Sequence, residues 1–364
     1  MVSIYRTYPG ISNELYRELF KPLESYITTK KVLISADGAL YGFPLEALVT
    51  KVPEKFEYKA ANHLLNDMAL KQFPNEIPLF YEYSQMKYLG EKYSISYIPT
   101  ASTLDVLRGK LSRKREVREG VIAFADPIFS KNQMKDIKGN KAKANGLIEG
   151  ELYVKRRALR KWPPDRLPET AQEAQIFSKQ IGKGKIYSGL DASEENVWKA
   201  GLEKAKYVLF STHGILGKEA GNKDITEPAL VLSLVNNPDE YDGLLGMTEA
   251  AGLRLNSDIV ILSACNSAGE SGKGGEGFAG MARSFLFAGS QAVVASHWQV
   301  DTRATKMLIE NYGKYLKTKG RLEALEAARN VVKNAVVEYG NKRKIKVSYA
   351  HPYFWAAFVL LGER

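Results

Sequence analysis

The stretch DIVILS at residues 258–263 carries an unbroken apolar run and continues directly into ACNSAG at residues 264–269. Such a run is typical of a strand that a parallel sheet buries on both faces. Other apolar runs have the same character, at residues 121–125, 207–211 and 291–296. Helical patterns accompany them, at residues 170–181, 193–202 and 277–288. The alternation predicts an α/β fold, with a mostly parallel sheet flanked by helices on both faces.

The first part of the chain contains both kinds of element. Strands are predicted at residues 31–35 and 93–98, and helical patterns at residues 13–26 and 44–48. We therefore divide the chain into an N-terminal α/β half at residues 1–118 and a second half at residues 119–364.

Residues 130–166 interrupt the second half, because they show little hydrophobic periodicity and a large excess of Lys and Arg over Asp and Glu. We interpret this segment as a basic, flexible insertion. Loops of this length are either functional or disordered. A solvated loop without a task is an equally open alternative.

The composition excludes several kinds of site. The chain has 364 residues, 52 Lys and Arg, 41 Asp and Glu, and a formal net charge of +11. The single cysteine, Cys265, excludes an internal disulfide and a cysteine-based zinc site, and the histidines lack metal-ligand spacing. We therefore predict no metal and no cofactor. No run reaches the roughly 20 apolar residues of a membrane helix, and the N-terminus lacks a signal-peptide pattern, which favours a cytoplasmic protein without a membrane partner.

Two polar segments follow strands that can lie side by side. The run at residues 207–211 leads into His213, and the run at residues 258–263 leads into Cys265. Functional groups collect beyond the carboxyl ends of parallel strands. A thiolate with a nearby imidazole forms a nucleophile and its acid–base partner. A buried structural cysteine and a histidine bound to a loop carbonyl are the alternatives for each residue alone, but the combination favours a dyad.

The same segments offer backbone donors for a tetrahedral intermediate. Gly214 has no side chain that would block a scissile carbonyl, so we predict that its amide and the amide of Cys265 form an oxyanion hole. In comparable sites one donor contributes roughly 3 to 4 kcal/mol to transition-state stabilisation.

The motifs together resemble those of the CHAT peptidases, a caspase-like cysteine protease family related to separase, caspases and metacaspases. The segments that carry the resemblance are ADG at 36–38, PLEAL at 44–48, YIP at 97–99, ADP at 125–127, THG at 212–214, DGLL at 242–245, ACNS at 264–267, GFAGMARSFL at 277–286, SHWQVD at 296–301 and HPYFWAAF at 351–358. Each segment is weak alone, whereas the combination is specific and spans nearly the whole chain.

The resemblance implies a caspase-like sheet in which His213 is the general acid and base and Cys265 the nucleophile of peptide-bond cleavage. It also implies that residues 1–118 are a related, non-catalytic half. Separase-like members recognise a basic residue before the scissile bond, and Asp301 stands at the position of their acid; its alternative is an N-cap of the following helix. Glu276 is a second candidate for this pocket, with a first-turn helix acid as its alternative.

The resemblance also implies protein partners. Family members commonly work behind a helical-repeat or other sensor region, so we expect a protein substrate and an activating sensor subunit or repeat region. A non-proteolytic adaptor is the rival function, in which the basic insertion and the net charge bind an acidic protein or nucleic acid. If the chain is a peptidase, we expect any association with nucleic acid to be indirect, through a partner protein. A thiol acyltransferase or hydrolase needs the same dyad and stays open.

Overall fold

Two compact units, each built from distant parts of the chain, make up the computed structural model. It describes residues 2–53, 78–111, 117–134, 164–215, 225–266, 274–298, 301–340 and 345–363. The first unit comprises Met1–Ile34, Pro44–Ser96 and Val300–Ala357, and the second comprises Ser35–Phe43, Tyr97–Gln299 and Phe358–Arg364. The predicted boundary between residues 118 and 119 lies inside the second unit, and the interpretation of residues 1–118 as a related half stays a prediction. Most of the predicted insertion, residues 135–163, lies outside the described residues.

Strands and helices alternate along most of the described chain. The strands are β1 (Lys31–Ile34), β2 (Val49–Lys51), β3 (Lys87–Tyr88), β4 (Ser94–Tyr97), β5 (Glu119–Pro127), β6 (Gly184–Gly189), β7 (Ala205–Ile215), β8 (Ala229–Val231), β9 (Leu244–Gly246), β10 (Ile259–Asn266), β11 (Ala292–Ser296), β12 (Val336–Tyr339), β13 (Ile345–Ser348) and β14 (Phe358–Gly362). The α-helices are α1 (Val2–Leu15), α2 (Leu89–Lys92), α3 (Ala101–Leu111), α4 (Lys131–Met134), α5 (Pro168–Ile181), α6 (Glu194–Lys199), α7 (Met247–Gly252), α8 (Gly274–Phe287), α9 (Thr302–Tyr315), α10 (Arg321–Lys333) and α11 (Pro352–Trp355). Within the described ranges, none of these helices combines the length and apolar character required to cross a membrane.

The second unit is organised around a mostly parallel sheet with the strand order β14-β11-β10-β7-β5-β6. Every neighbouring pair in this order is parallel except β11 and β14, which are antiparallel. The residues at 259–261 and 292–295 have no exposed surface. Burial on both faces explains why these strands are continuously apolar in the sequence. The predicted α/β class with a mostly parallel sheet is confirmed.

Helices cover both faces of this sheet, and β7 shows which helix lies on which face. Successive residues of a strand point to opposite faces. Tyr207 packs edge-on against Phe177 of α5, with ring centroids 6.1 Å apart, whereas Phe210 packs against Phe285 of α8, with centroids 5.4 Å apart. The odd-numbered residues of β7, which include His213, therefore lie on the face that α5 covers.

Local capping sets where α6 begins and ends. The hydroxyl of Ser193 accepts from the Asn196 amide at 3.3 Å and so caps the start of the helix. The helix ends at Lys199, short of the predicted residue 202, because Gly201 adopts a left-handed conformation with φ of 70°.

The first unit contains a buried ion pair between distant segments. Arg329 of α10 contacts Glu46, with Nη2 and Oε1 2.5 Å apart and both side chains buried. Glu46 lies in a single 3₁₀ turn, Leu45–Ala47, where the sequence predicted the start of a helix. The predicted helix is limited to this one turn, because Leu48, with ψ of 130°, is no longer helical and leads into β2, which pairs with β3.

Candidate functional site

His213 and Cys265 occupy paired positions on adjacent strands. In the parallel register of β7 and β10, Cys265 stands opposite His213, and Asn266 stands opposite Gly214. Neighbouring strands of a sheet are about 4.8 Å apart. Both positions are at the carboxyl ends of their strands, where parallel sheets place functional groups. The predicted side-by-side placement of the two strand ends is confirmed.

The imidazole of His213 is half-buried and held by two neighbours. Its Nε2 lies 2.8 Å from the backbone carbonyl oxygen of Asp165, and its ring centroid lies 5.4 Å from that of Phe129. A carbonyl oxygen can only accept a hydrogen bond, so Nε2 carries the proton. In the neutral ring Nδ1 is then the basic nitrogen. The bond to a loop carbonyl, considered above as a purely structural alternative, therefore also prepares the ring to act as a base.

An ion pair fixes the segment that carries the Asp165 carbonyl. Arg166 donates to both carboxylate oxygens of Asp126, from Nε to Oδ1 at 2.8 Å and from Nη2 to Oδ2 at 2.6 Å. Such two-point pairs are strong and directional. The amide of Asp126 donates to Thr170 Oγ1 at 2.8 Å, in the first turn of α5. These bonds join the end of β5 to the loop before α5, and the Asp165 carbonyl in that loop binds the His213 ring.

The two described ends of the predicted insertion are bonded to each other, and one of them contacts His213. Gln133 of α4 accepts from the Phe129 amide through Oε1 and donates to the Pro164 carbonyl through Nε2, each at 2.9 Å. Phe129, the residue directly before the insertion, supplies the ring that packs on the imidazole, and Asp165 at the far end of the insertion supplies the carbonyl. The sequence did not indicate this arrangement, because a backbone carbonyl has no residue-type signature.

The structure describes the backbone of the predicted oxyanion donors and of Glu276, but not the side chains of Cys265 and Glu276. Gly214 lies inside β7 and pairs with Asn266 of β10 on one side and with Leu230 of β8 on the other. For Cys265 the backbone position is described, whereas its side chain lies outside the described part, as does that of Glu276, which falls in the first turn of α8. The oxyanion hole and the role of Glu276 stay predictions.

Asp301 belongs to the first unit, where it caps α9. Its Oδ1 accepts from the amides of Arg303 and Ala304 at 3.0 and 3.1 Å, so the N-cap alternative is confirmed. The Tyr349 hydroxyl also donates to Oδ1, at 2.8 Å. Burial, the Tyr339 hydroxyl and the Asp301 carboxylate together hold the pKa of Tyr349 well above its ordinary value, which keeps it a donor. The pocket role of Asp301 stays a prediction.

Glu194 is a buried carboxylate beside the DGLL segment. Its Oε2 accepts from the amide of Gly243 at 2.9 Å. Burial, followed by the negative charges of Glu249 and Asp242, raises the pKa of Glu194 from its ordinary value of 4.5 to about 7, while the bond from Gly243 opposes the shift. The folded protein therefore binds a proton at Glu194 more tightly than the unfolded chain does.

This difference predicts a pH dependence of stability. Between pH 4.5 and 7 the folded state binds more protons at Glu194 than the unfolded state, so its contribution to the free energy of unfolding falls as the pH rises through that window. Glu194→Gln keeps an acceptor for Gly243 without the charge, and we expect it to raise stability above pH 7 by about 1–2 kcal/mol. Urea unfolding at several pH values measures this free energy of unfolding. Equal slopes of the free energy of unfolding against pH for wild type and Glu194→Gln would contradict the prediction.

Comparisons with known proteins give the family of the chain and two curated relatives. The family model described as CHAT domain matches residues 10–363. Tetratricopeptide repeat protein 28 of Homo sapiens is 24% identical over 306 residues, covering 77% of this chain and 11% of that protein. Its Mus musculus counterpart is 26% identical over 229 residues, covering 56% and 9%. The chain thus spans about a tenth of the length of these curated relatives.

Two solved structures are distantly similar. The separase–securin complex of Saccharomyces cerevisiae matches with 14% identity and a TM-score of 0.38, covering 75% of this chain and 14% of that one. The Arg-specific cysteine proteinase gingipain R matches with 9% identity and a TM-score of 0.41, covering 98% of this chain and 67% of that one.

Proposed function

Because the chain belongs to the CHAT domain family, we propose that it is a cysteine endopeptidase that acts through Cys265 and His213. The observation that carries the proposal is the pairing of these two residues at the carboxyl ends of adjacent parallel strands. The bond from Nε2 to the Asp165 carbonyl supports it, since that bond makes Nδ1 the nitrogen that accepts a proton.

In the proposed reaction, Nδ1 of His213 takes the thiol proton, and the Cys265 sulfur attacks the carbonyl carbon of the scissile peptide bond. The carbonyl electrons move to the oxygen, which the amides of Gly214 and Cys265 are proposed to bind. The C–N bond then breaks, and the imidazolium gives its proton to the leaving amine. Water attacks the thioester while His213 takes its proton, and the peptide acid and the free thiol are released.

Turnover of peptides tests this function directly. The protein is incubated with fluorogenic peptides that carry Arg, Lys, Asp or Leu before the cleaved bond, with Cys265→Ala as the control for contaminating proteases. Cleavage by the wild type alone is expected. Cleavage by neither protein, even with an activating partner present, would contradict the peptidase. A cellular effect that survives Cys265→Ala unchanged would instead indicate the adaptor.

We further propose that the substrate carries Lys or Arg before the cleaved bond and that Asp301 recognises it. A carboxylate is the group that pairs with these side chains. Because Asp301 also caps α9, two variants separate the roles. Asp301→Asn keeps a capping acceptor, so we expect near-wild-type thermal stability but at least about 10-fold slower cleavage after Arg and Lys. Asp301→Ala loses both the capping acceptor and the carboxylate, so we expect it to be about 1 kcal/mol less stable as well as slower on these peptides.

Melting temperatures and kcat/KM for the four peptides measure the two effects. Leu and Asp peptides serve as the internal reference, since removal of a carboxylate should not slow their cleavage. Equal kcat/KM values of wild type and Asp301→Asn on the Arg peptide would show that Asp301 caps α9 and does not recognise the substrate.

Regulation by a helical-repeat partner is the remaining part of the proposal. It is supported by the names of the curated relatives, which refer to tetratricopeptide repeats, and by the small fraction of their length that the chain spans. Such repeats stack helices into extended binding surfaces. We propose that a repeat region, on the same or another polypeptide, controls access to Cys265.

A further inference from the structure

A buried carboxylate joins the two strands just below His213 and Cys265. Ser211 and Ser263 face each other in the register of β7 and β10, two positions before the proposed catalytic pair. One oxygen of Glu173, Oε2, accepts from both hydroxyls, at 2.8 Å from Ser211 Oγ and 3.2 Å from Ser263 Oγ. Glu173, Ser211 and Ser263 are all buried.

The position of this cluster relates it to the proposed site. Residues two positions apart in a strand lie on the same face, about 6–7 Å from each other. Positions 211 and 213 of β7 therefore share the face that α5 covers, as positions 263 and 265 of β10 share a face. The preceding pair on this face, Leu209 opposite Ile261, is apolar and fully buried. The serine pair is thus the last layer between the apolar core and the proposed dyad.

Glu173 also links this layer to the segment that holds His213. It lies in the second turn of α5, and the loop directly before α5 supplies the Asp165 carbonyl that accepts from Nε2. A buried carboxylate is costly unless hydrogen bonds satisfy it. Movement of α5 relative to either strand would break one of its two serine bonds, so these bonds oppose such movement.

We propose that Glu173 is a positioning residue of the dyad, which through Ser211 and Ser263 sets the spacing between the ends of β7 and β10 and their distance from the Asp165 carbonyl. The proposal rests on the proposed function, because it assigns Glu173 a role only if Cys265 and His213 act together. The described bonds of Glu173 go to Ser211 and Ser263, and the proposal assigns it no part in proton transfer.

The single cysteine of the chain provides a readout that needs no known substrate. Alkylation by iodoacetamide reports on Cys265 alone. Near pH 6.5 the rate depends on help from His213 in forming the thiolate, whereas near pH 10 a thiol with an ordinary pKa near 8.5 is ionised without help. The ratio of the two rates therefore measures the cooperation of the pair, whereas a change in exposure of Cys265 alters both rates.

The variants separate the acceptor from the fold. Glu173→Met removes the acceptor, and Glu173→Gln is the conservative control, because its carbonyl oxygen can accept both hydroxyls. If Glu173→Met fails to fold, the triple variant with Ser211→Ala and Ser263→Ala replaces the whole cluster by apolar groups, which avoids unsatisfied hydroxyls. Thermal unfolding confirms that each variant is folded before alkylation is measured.

We expect Glu173→Met or the triple variant to be alkylated about 10- to 100-fold more slowly than wild type near pH 6.5 and within about 2-fold of it near pH 10, with Glu173→Gln close to wild type. The role of Glu173 would be overturned if the variants lacking the acceptor were alkylated at wild-type rates at both pH values. If His213→Ala were slow at pH 6.5 in the same experiment, the dyad itself would stand. Equal rates for wild type and His213→Ala at both pH values would contradict the dyad itself.

Discussion

Replacing His213 with alanine is expected to lower kcat/KM for peptide cleavage by about 10³-fold or more at neutral pH. In the proposed reaction the variant loses the base that takes the thiol proton and the acid that protonates the leaving amine, and each proton transfer contributes about 10²–10⁴-fold. We expect the effect in kcat, because in the proposed reaction the imidazole acts in the transition state.

A second histidine provides the matched control. His297 follows β11 and stacks near Trp298, with ring centroids 6.3 Å apart, and it has no part in the proposed reaction. We expect His297→Ala to retain kcat within a few-fold of wild type. An unchanged kcat in His213→Ala would contradict the assignment of His213, whichever peptide is cleaved.

Replacing Arg329 with alanine is expected to destabilise the first unit by about 3–5 kcal/mol. Arg329 and Glu46 are both buried, and the variant removes the cation that contacts the Glu46 carboxylate while the carboxylate stays buried. A loss of this size is a large part of the stability of a typical domain. Chemical denaturation measures it as a lower midpoint.

The control for this prediction is an ion pair of equal length on the surface. Lys199 and Glu195 also lie 2.5 Å apart, but the Lys199 side chain is exposed and the Glu195 side chain is only half-buried. Lys199→Ala is expected to leave the midpoint unchanged, because exposed pairs contribute little. Similar midpoints for Arg329→Ala and Lys199→Ala would show that burial does not govern the contribution of the Arg329 pair.

The placement of His213 and Cys265 at the same edge of the sheet could be predicted because it depends on hydrophobic pattern. The apolar runs before His213 and Cys265 are buried strands of a parallel sheet, and such strands end with their carboxyl termini at one edge. The cap at Asp301 was predictable for a similar reason, since a side-chain oxygen before a helix satisfies its first amides.

Contacts that depend on tertiary structure could not be predicted. The carbonyl of Asp165 binds His213 as a backbone group, which any residue would supply. Glu173 stands among polar residues of an amphipathic helix, and the serine pair that it binds became visible only in the structure. The antiparallel β14 beside β11 comes from the end of the chain, and hydrophobic periodicity does not identify which strands become neighbours.

The central claim is that Cys265 is a nucleophile activated by His213, and covalent labelling tests it most directly. The protein is treated with peptidyl acyloxymethyl ketones carrying Arg, Lys, Asp or Leu, and intact mass and peptide mapping follow the label over time. We expect one label on Cys265, added fastest by the Arg or Lys reagent and at least about 10² times more slowly in His213→Ala and in urea-unfolded protein. Labelling of wild type no faster than that of His213→Ala, with every reagent, would contradict the account.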